Sequence, residues 1–352
     1  MITLVTGATG FVGSHLVRQL VARGEIVRVL VRSESRMDAL AGLSVEVVRG
    51  DLRSPSAVQA AMRGVRRVFH AGADYRLWAR NPADIYETNV VGTKNILSAV
   101  AAGVERLVYT STVGTIAVPH ARSPDEQTNA SLEQMIGHYK RSKFLAEQVV
   151  LDAASRGVPA VIVNPTTPVG PGDWRPTPTG RVILDFLRRR MPAYLHTGLN
   201  VVPVEDVARG HLLAADHGRI GERYLLGGRN MLLKEVLDAL AAITGLPAPR
   251  VRLPWRAAMA LGYVDRIAAA ARGREPRIPL EGVRMARHMM WANSTKAAVE
   301  LGFQAGSVEA ALQRAVEWYS ENGYVSGDRQ RIQGSWRTAD AEFDPRSPTR
   351  IS

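Results

Sequence analysis

The chain has 352 residues, long enough to bury one large α/β domain or a main domain with a smaller lobe, and its 46% apolar and 22% charged residues are the balance of an ordinary soluble globular protein. It contains no cysteine, which excludes disulfides, cysteine-ligated zinc and thiol catalysis, and no metal site is predicted. The net charge of +12, almost all of it arginine, favours anionic ligands or an anionic membrane surface; no nucleic-acid motif accompanies it, so nucleic acid is not an expected partner.

The N-terminus enters a strand at once, Ile2-Thr3-Leu4-Val5-Thr6, without the basic and long apolar stretch of a secretion signal. No run reaches the ~18 unbroken apolar residues of a membrane-spanning helix, so the expected location is the cytoplasm. Gly7, Gly10 and Gly13 follow, and from Phe11 apolar residues recur at helical spacing: Val12, Leu16 and Leu20, with Val17 and Val21 beside them. A strand, a glycine turn and a helix make a pocket for a pyrophosphate. The glycines let the backbone approach the phosphates, and the helix presents free N–H groups and its positive end.

Further strands are expected at 26–31, 45–48, 67–70, 107–110 and 160–163, with helical patterns between them, such as 90–100 and 144–151. Strands alternating with helices imply a doubly wound parallel sheet of the Rossmann type, its ligand beyond the carboxyl ends of the strands. After Asn164, five prolines (Pro165, Pro168, Pro171, Pro176 and Pro178) crowd a loop where the chain leaves the sheet. Helices then dominate, at 181–190, 207–217, 233–244, 255–271 and 308–322, interrupted by a strand at 223–226. The expected organisation is a dinucleotide-binding domain over 1–165, to which 201–228 returns. A smaller, mainly helical substrate lobe spans 166–200 and 229–325. The polar, arginine-rich stretch 326–352 is expected to be a disordered tail.

Cofactor type is read at the end of the second strand, where an NAD site usually places an acid for the ribose 2′-hydroxyl. Here the strand ends in Arg32-Ser33, with Arg36 close behind and no acid at that place. A guanidinium suits a 2′-phosphate, which favours NADP(H); NAD(H) is the alternative if Arg32 is merely a solvated strand end. Asp51, at the end of the third strand, can accept a bond from an adenine amine.

Tyr139 and Lys143 stand one helical turn apart and share a face. A free phenol, with a pKa of ~10, is too weak a base near neutrality, and a nearby ammonium stabilises its phenolate. Upstream, Tyr109-Thr110-Ser111-Thr112-Val113 carries a strand into hydroxyl residues at its carboxyl end, where one hydroxyl could hold a substrate oxygen beside the tyrosine.

These features together resemble the extended branch of the short-chain dehydrogenase/reductase family over roughly residues 1–325. The matching pieces are Thr6-Gly7-Ala8-Thr9-Gly10-Phe11-Val12-Gly13, Gly50-Asp51-Leu52, His70-Ala71-Gly72-Ala73, Asn89, Thr112, Tyr139 with Lys143, Asn164-Pro165 and Val204-Glu205-Asp206-Val207-Ala208. The resemblance implies that Tyr139 is the acid/base and that Lys143 lowers its pKa and holds the nicotinamide ribose. Thr112 takes the place of the usual serine, with Ser111 the fallback. It also implies a cofactor bed of Gly7, Thr9, Gly10, Phe11, Val12, Gly13, Arg32, Asp51, Leu52, Ala71, Gly72, Ala73, Asn89, Thr110, Asn164 and Pro165, with Tyr139 and Lys143 reaching it too. Gly72 departs from the family's usual alanine, and Thr112 adds a methyl to the serine.

Within that branch, segments 73–80, 137–148 and 191–200 look closest to the hopanoid-associated sugar epimerase group, a relative of dihydroflavonol reductases. The expected activity is therefore hydride transfer between nicotinamide and a carbonyl or hydroxyl carbon. The first reading is an NADP(H)-using carbonyl reductase linked to hopanoid lipid side-chain synthesis. An NAD-dependent nucleotide-sugar epimerase or dehydratase is the alternative, although Thr112-Val113-Gly114 offers no acid to remove an α-proton. A non-catalytic nicotinamide sensor is the third.

The substrate is expected to be a small-molecule or lipid-linked polyol or sugar, met by Tyr75, Trp78, His138, Pro168 and Tyr194. Helix 255–271 is broadly apolar and ringed by Arg250, Arg252, Arg256, Arg266, Arg272, Arg274 and Arg277. It reads either as a packing helix with solvated flanks or as a peripheral contact with an anionic membrane at the inner face. Paired helices of the cofactor domain make a homodimer the expected assembly.

Overall fold

Residues 3–6, 68–70, 107–109 and 160–165 are buried without alternation, as strands must be when helices cover both faces of their sheet. The computed structural model describes residues 1–100, 103–116, 124–128 and 130–325. The tail expected over 326–352 lies outside them.

The first part of the chain runs β1 (Ile2–Thr6), α1 (Phe11–Ala22), β2 (Ile26–Val31), β3 (Glu46–Arg49), α2 (Pro55–Met62), β4 (Val65–His70), α3 (Ala83–Tyr86), a π turn at Glu87–Val91, α4 (Gly92–Ala99), β5 (Arg106–Thr110), α5 (Gly137–Ser155) and β6 (Ala160–Pro165). The second part runs β7 (Thr167–Val169), α6 (Pro178–Leu187), β8 (Ala193–Tyr194), β9 (Gly198–Pro203), α7 (Val204–His217), β10 (Arg223–Leu226), β11 (Arg229–Leu232) and α8 (Leu233–Thr244). It closes with β12 (Val251–Arg252), α9 (Trp255–Ala271), α10 (Leu280–Met285), β13 (Met289–Met290), α11 (Thr295–Leu301) and α12 (Val308–Glu321).

Seven strands form one parallel sheet in the order β10-β6-β5-β4-β1-β2-β3. The chain order reverses between β1 and β4, so a crevice opens beyond the carboxyl ends of those strands. One core, with Leu16, Val29, Val163 and Leu212, covers one face, and a second, with Leu4, Ile96, Leu107 and Val150, covers the other.

The stretch 201–228 divides between the two parts. Helix α7 and β10 lie on the large sheet, whereas Val201–Pro203 pairs in a second sheet, where β9 joins β7, β11 and β13. That small sheet was not expected in a lobe read as helical. Several of its strands are two to four residues long, too short to show a period. The helix expected at 181–190 begins instead at Pro178. Thr177 accepts a bond from the Gly180 N–H there, and proline suits a first helical position.

Candidate active site

Tight backbone packing builds the floor of the crevice. Gly7 has φ +69°, and a Cβ on it would lie 2.6 Å from the Ala71 carbonyl carbon; one on Gly13 would lie 2.1 Å from the Gly7 oxygen. Helix α1 starts at Gly10 with no side-chain cap and no acid in its first turn, so its leading N–H groups are left for a ligand. A cavity of about 800 Å³ opens above it, lined by Gly7, Thr9, Gly10, Phe11, Val12 and Gly13. A cradle that admits no side chain, facing an uncapped helix end, fits the pyrophosphate of a dinucleotide.

The same cavity takes in Arg32, Asp51, Leu52, Ala71, Gly72, Ala73, Thr110, Tyr139, Lys143 and Pro165 of the expected bed, Thr112 of the expected catalytic set, and Tyr75 and Pro168 of the expected substrate contacts. Arg32 is half exposed and paired with Glu34 at 3.2 Å. The Arg53 guanidinium grips Asp51 at 2.8 Å and holds its carboxyl below the usual range.

Other expected residues lie elsewhere. Asn89 is buried behind the cavity wall, where it accepts a bond from the Asp74 N–H (2.7 Å) and donates to the Asp74 carbonyl (2.9 Å) and Ser142 Oγ (2.8 Å). Asn164 donates to the Thr112 carbonyl, Thr115 Oγ1 and Glu147 Oε2. Both brace the loops of the site from behind, because an amide can satisfy several backbone and side-chain groups at once. Trp78 is off the cavity lining, His138 Nδ1 lies 3.2 Å from the Tyr86 hydroxyl, and Tyr194 packs in the core of the lobe.

Two hydroxyls at the end of β5 are adjacent in sequence and differ in use. Ser111 is buried and donates to Glu147, a fully buried carboxylate that also accepts from Thr115 Oγ1 (2.8 Å) and lies 3.3 Å from Arg223. Thr112 and Tyr139 both line the cavity, and the Thr112 hydroxyl is near enough to the phenol to draw its pKa down. Ser111 is thus committed to the fold, and Thr112 is the hydroxyl beside the phenol.

Burial pushes the Tyr139 phenol up to about 12, with Thr112 drawing it part of the way back. Lys143, expected to lower that value, is turned toward other groups. Its ammonium donates to the Tyr109 hydroxyl (2.8 Å) and the Thr110 carbonyl (2.6 Å), and burial brings it down to about 7. Behind Lys143 lies a buried cluster. The Tyr109 ring lies 5.6 Å from that of His70, whose Nε2 lies 3.0 Å from Thr93 Oγ1 and whose Nδ1 lies 2.7 Å from Thr6 Oγ1. Thr6 in turn accepts from the Gly72 N–H, so the polar groups packed behind Tyr109 reach the glycine-rich floor.

The sequence reading passed over Tyr109, since an aromatic residue in a strand reads as core. It also passed over the far wall of the cavity, made by Trp174, Arg175 and Thr177 from the proline-rich loop and Arg181 on α6. Asp173 ties that loop down, accepting from the Thr177 N–H (2.8 Å), Thr177 Oγ1 (2.9 Å) and the Tyr319 hydroxyl (2.9 Å). The crowding of prolines was the available signal for this wall.

Residues 3–227 match the sequence model of the NAD dependent epimerase/dehydratase family. A Synechocystis protein with a provisional dihydroflavonol 4-reductase name is 46% identical over 327 residues, covering 91% of this chain and 95% of its own. Sterol demethylase protein B of Methylococcus capsulatus is 37% identical over 328 residues, covering 92% and 100%. Among solved structures, gox2253 superposes with a TM-score of 0.83 at 43% identity, covering 92% of this chain and 99% of that one.

Proposed function

Because the chain belongs to the NAD dependent epimerase/dehydratase family, and with it to the extended short-chain dehydrogenases/reductases, we propose that it is an NADP(H)-dependent reductase of an apolar, lipid-class carbonyl compound. The observation that carries this reading is the Tyr139–Thr112 pair facing the cavity, with the phenol held at about 12. Reduction of a ketone needs a proton donor beside the oxygen, and a phenol so placed keeps its proton at neutral pH. Nicotinamide, when bound, supplies the hydride. Thr112 would orient the substrate oxygen, Tyr139 would deliver the proton to it, and Lys143 would hold the nicotinamide ribose.

Arg32, and Arg36 behind it on the same wall, support NADP(H) over NAD(H), since a guanidinium matches a 2′-phosphate. The lipid class is supported by the relative named as a sterol demethylase protein and by the hopanoid group that the sequence resembles. The test is native mass spectrometry of the purified protein, then NADPH oxidation against a panel of polycyclic and long-chain ketones. The reading expects a protein that arrives empty, binds NADPH and oxidises it with a ketone, with Tyr139→Phe losing turnover and keeping NADPH affinity. Tightly retained NAD, or Tyr139→Phe turning over normally, would overturn it.

A further inference from the structure

Helix α9 is built inside out. Its buried residues are small, Ala258, Gly262 and Ala269, and a Cβ on Gly262 would lie 2.8 Å from Leu280, so the helix packs closely on α10. Four of its large apolar residues face solvent: Ile267 is 71% exposed, Val264 65%, Leu261 49% and Tyr263 46%, in a ridge about two turns long. Single exposed apolar residues are commonplace, whereas a continuous ridge marks a surface that meets something apolar.

Arginines ring the ridge. Arg252, Arg256, Arg266, Arg272 and Arg277 are all exposed, and among the described residues none is paired with a carboxylate. The acid on this helix, Asp265, is already bonded to Arg274 (2.6 Å) and the Ile278 N–H (2.8 Å). This charge pattern chooses between occupants. A second copy docking through the same face would set arginines against arginines. A layer of anionic headgroups would pair with them while the ridge entered the acyl boundary.

We propose that α9 seats the protein on an anionic lipid surface. The site lies close by. The turn after α9 brings Glu275 into the lining of the cavity, and α10 abuts Gly137 and His138, the residues that open the helix carrying Tyr139. A seated molecule therefore presents the mouth of its cavity near the lipid, where an apolar substrate would be. The docking itself is independent of the reaction assigned to the cavity.

The experiment is co-sedimentation of the full chain with vesicles of phosphatidylcholine plus phosphatidylglycerol, against phosphatidylcholine alone, at low and high salt, with no turnover required. Wild type should pellet with the mixed vesicles and be released by salt. Each replacement among Arg266→Gln and Arg272→Gln should weaken binding ~fivefold, the equivalent of one basic residue at an anionic surface. Val264→Glu with Ile267→Glu should abolish binding while circular dichroism and NADPH titration stay unchanged. No pelleting, equal pelleting with both vesicle types, or pelleting that survives the ridge variant would overturn the inference. So would a concentration-dependent dimer, seen by sedimentation, that Ile267→Glu dissociates in a protein that ignores vesicles.

Discussion

Thr112→Val and Ser111→Ala should fail in opposite ways, although each removes one hydroxyl and the two positions are adjacent. Valine nearly copies the shape of threonine, so Thr112→Val deletes two interactions and little volume. One is the bond accepted from the Gly114 N–H at 3.2 Å; the other is the polar contact by which its hydroxyl draws the Tyr139 phenol down. Losing the first costs about 1 kcal/mol of stability, as for a neutral capping bond. Losing the second leaves the phenol held up by burial alone and the substrate oxygen without its anchor. Turnover should fall by ~10²-fold or more, within the range that a positioned acid/base supplies. Ser111→Ala instead removes a donor from a fully buried carboxylate, a bond to a charged group worth ~1.5–3 kcal/mol. Its kcat should stay within the order of magnitude of wild type. The assay is NADPH oxidation with the ketone that wild type reduces fastest, alongside urea midpoints for both variants. Turnover lost in Ser111→Ala at unchanged stability, with Thr112→Val active, would refute the division of labour between these two hydroxyls.

Arg32→Ala should weaken NADPH binding ~10- to 100-fold, the worth of a charge-assisted bond, and leave NADH binding unchanged in fluorescence titration; equal effects on both would show that Arg32 ignores the 2′-phosphate. Gly13→Ala should abolish binding of both nucleotides in a folded protein, because the new Cβ would lie 2.1 Å from the Gly7 oxygen; normal titration would disprove the cradle. Acid should destabilise the fold through His70 and His211, which burial holds at about 3 and about 4. Their ordinary value is higher, so as pH falls through it the unfolded chain takes up protons first. The stability contribution is therefore full above that value and declines below it, by up to about 1.4 kcal/mol per pH unit per histidine. A urea midpoint that does not move between about pH 7 and 4 would contradict this.

Much of the large sheet could be read directly, because its strands are runs of β-branched residues bounded by glycine, and the glycine turn sits between the first strand and helix. The floor of the cavity was legible for the same reason: Gly7, Gly10 and Gly13 are needed by backbone geometry, which a sequence displays. Side-chain direction was less legible. Asn89 and Asn164 carry the right residue type at the right spacing, yet both point behind the cavity, since the loops above them have backbone groups to satisfy. Thr112 could be ranked above Ser111 only through the family resemblance, because the partner that occupies Ser111, Glu147, comes from α5, 36 residues away. The small sheet of the lobe and the separate β8–β12 pair escaped because β8, β12 and β13 are two residues long and are held by pairing with distant segments.

Burial moves Tyr139 and Lys143 in opposite directions, and both movements favour the uncharged form. The expectation of a phenol lowered by its lysine neighbour assumed that the ammonium faces the phenol; here it faces Tyr109 and the Thr110 carbonyl. An epimerase begins by oxidising an alcohol and so needs a phenolate at its first step. A ketone reductase begins with a neutral phenol and uses its proton only as negative charge develops on the substrate oxygen. Thr112, whose hydroxyl draws the phenol down, would favour the phenolate left behind after that transfer. On the proposed reductase reading, the shifts that make Tyr139 a poor base are those that keep it loaded as an acid.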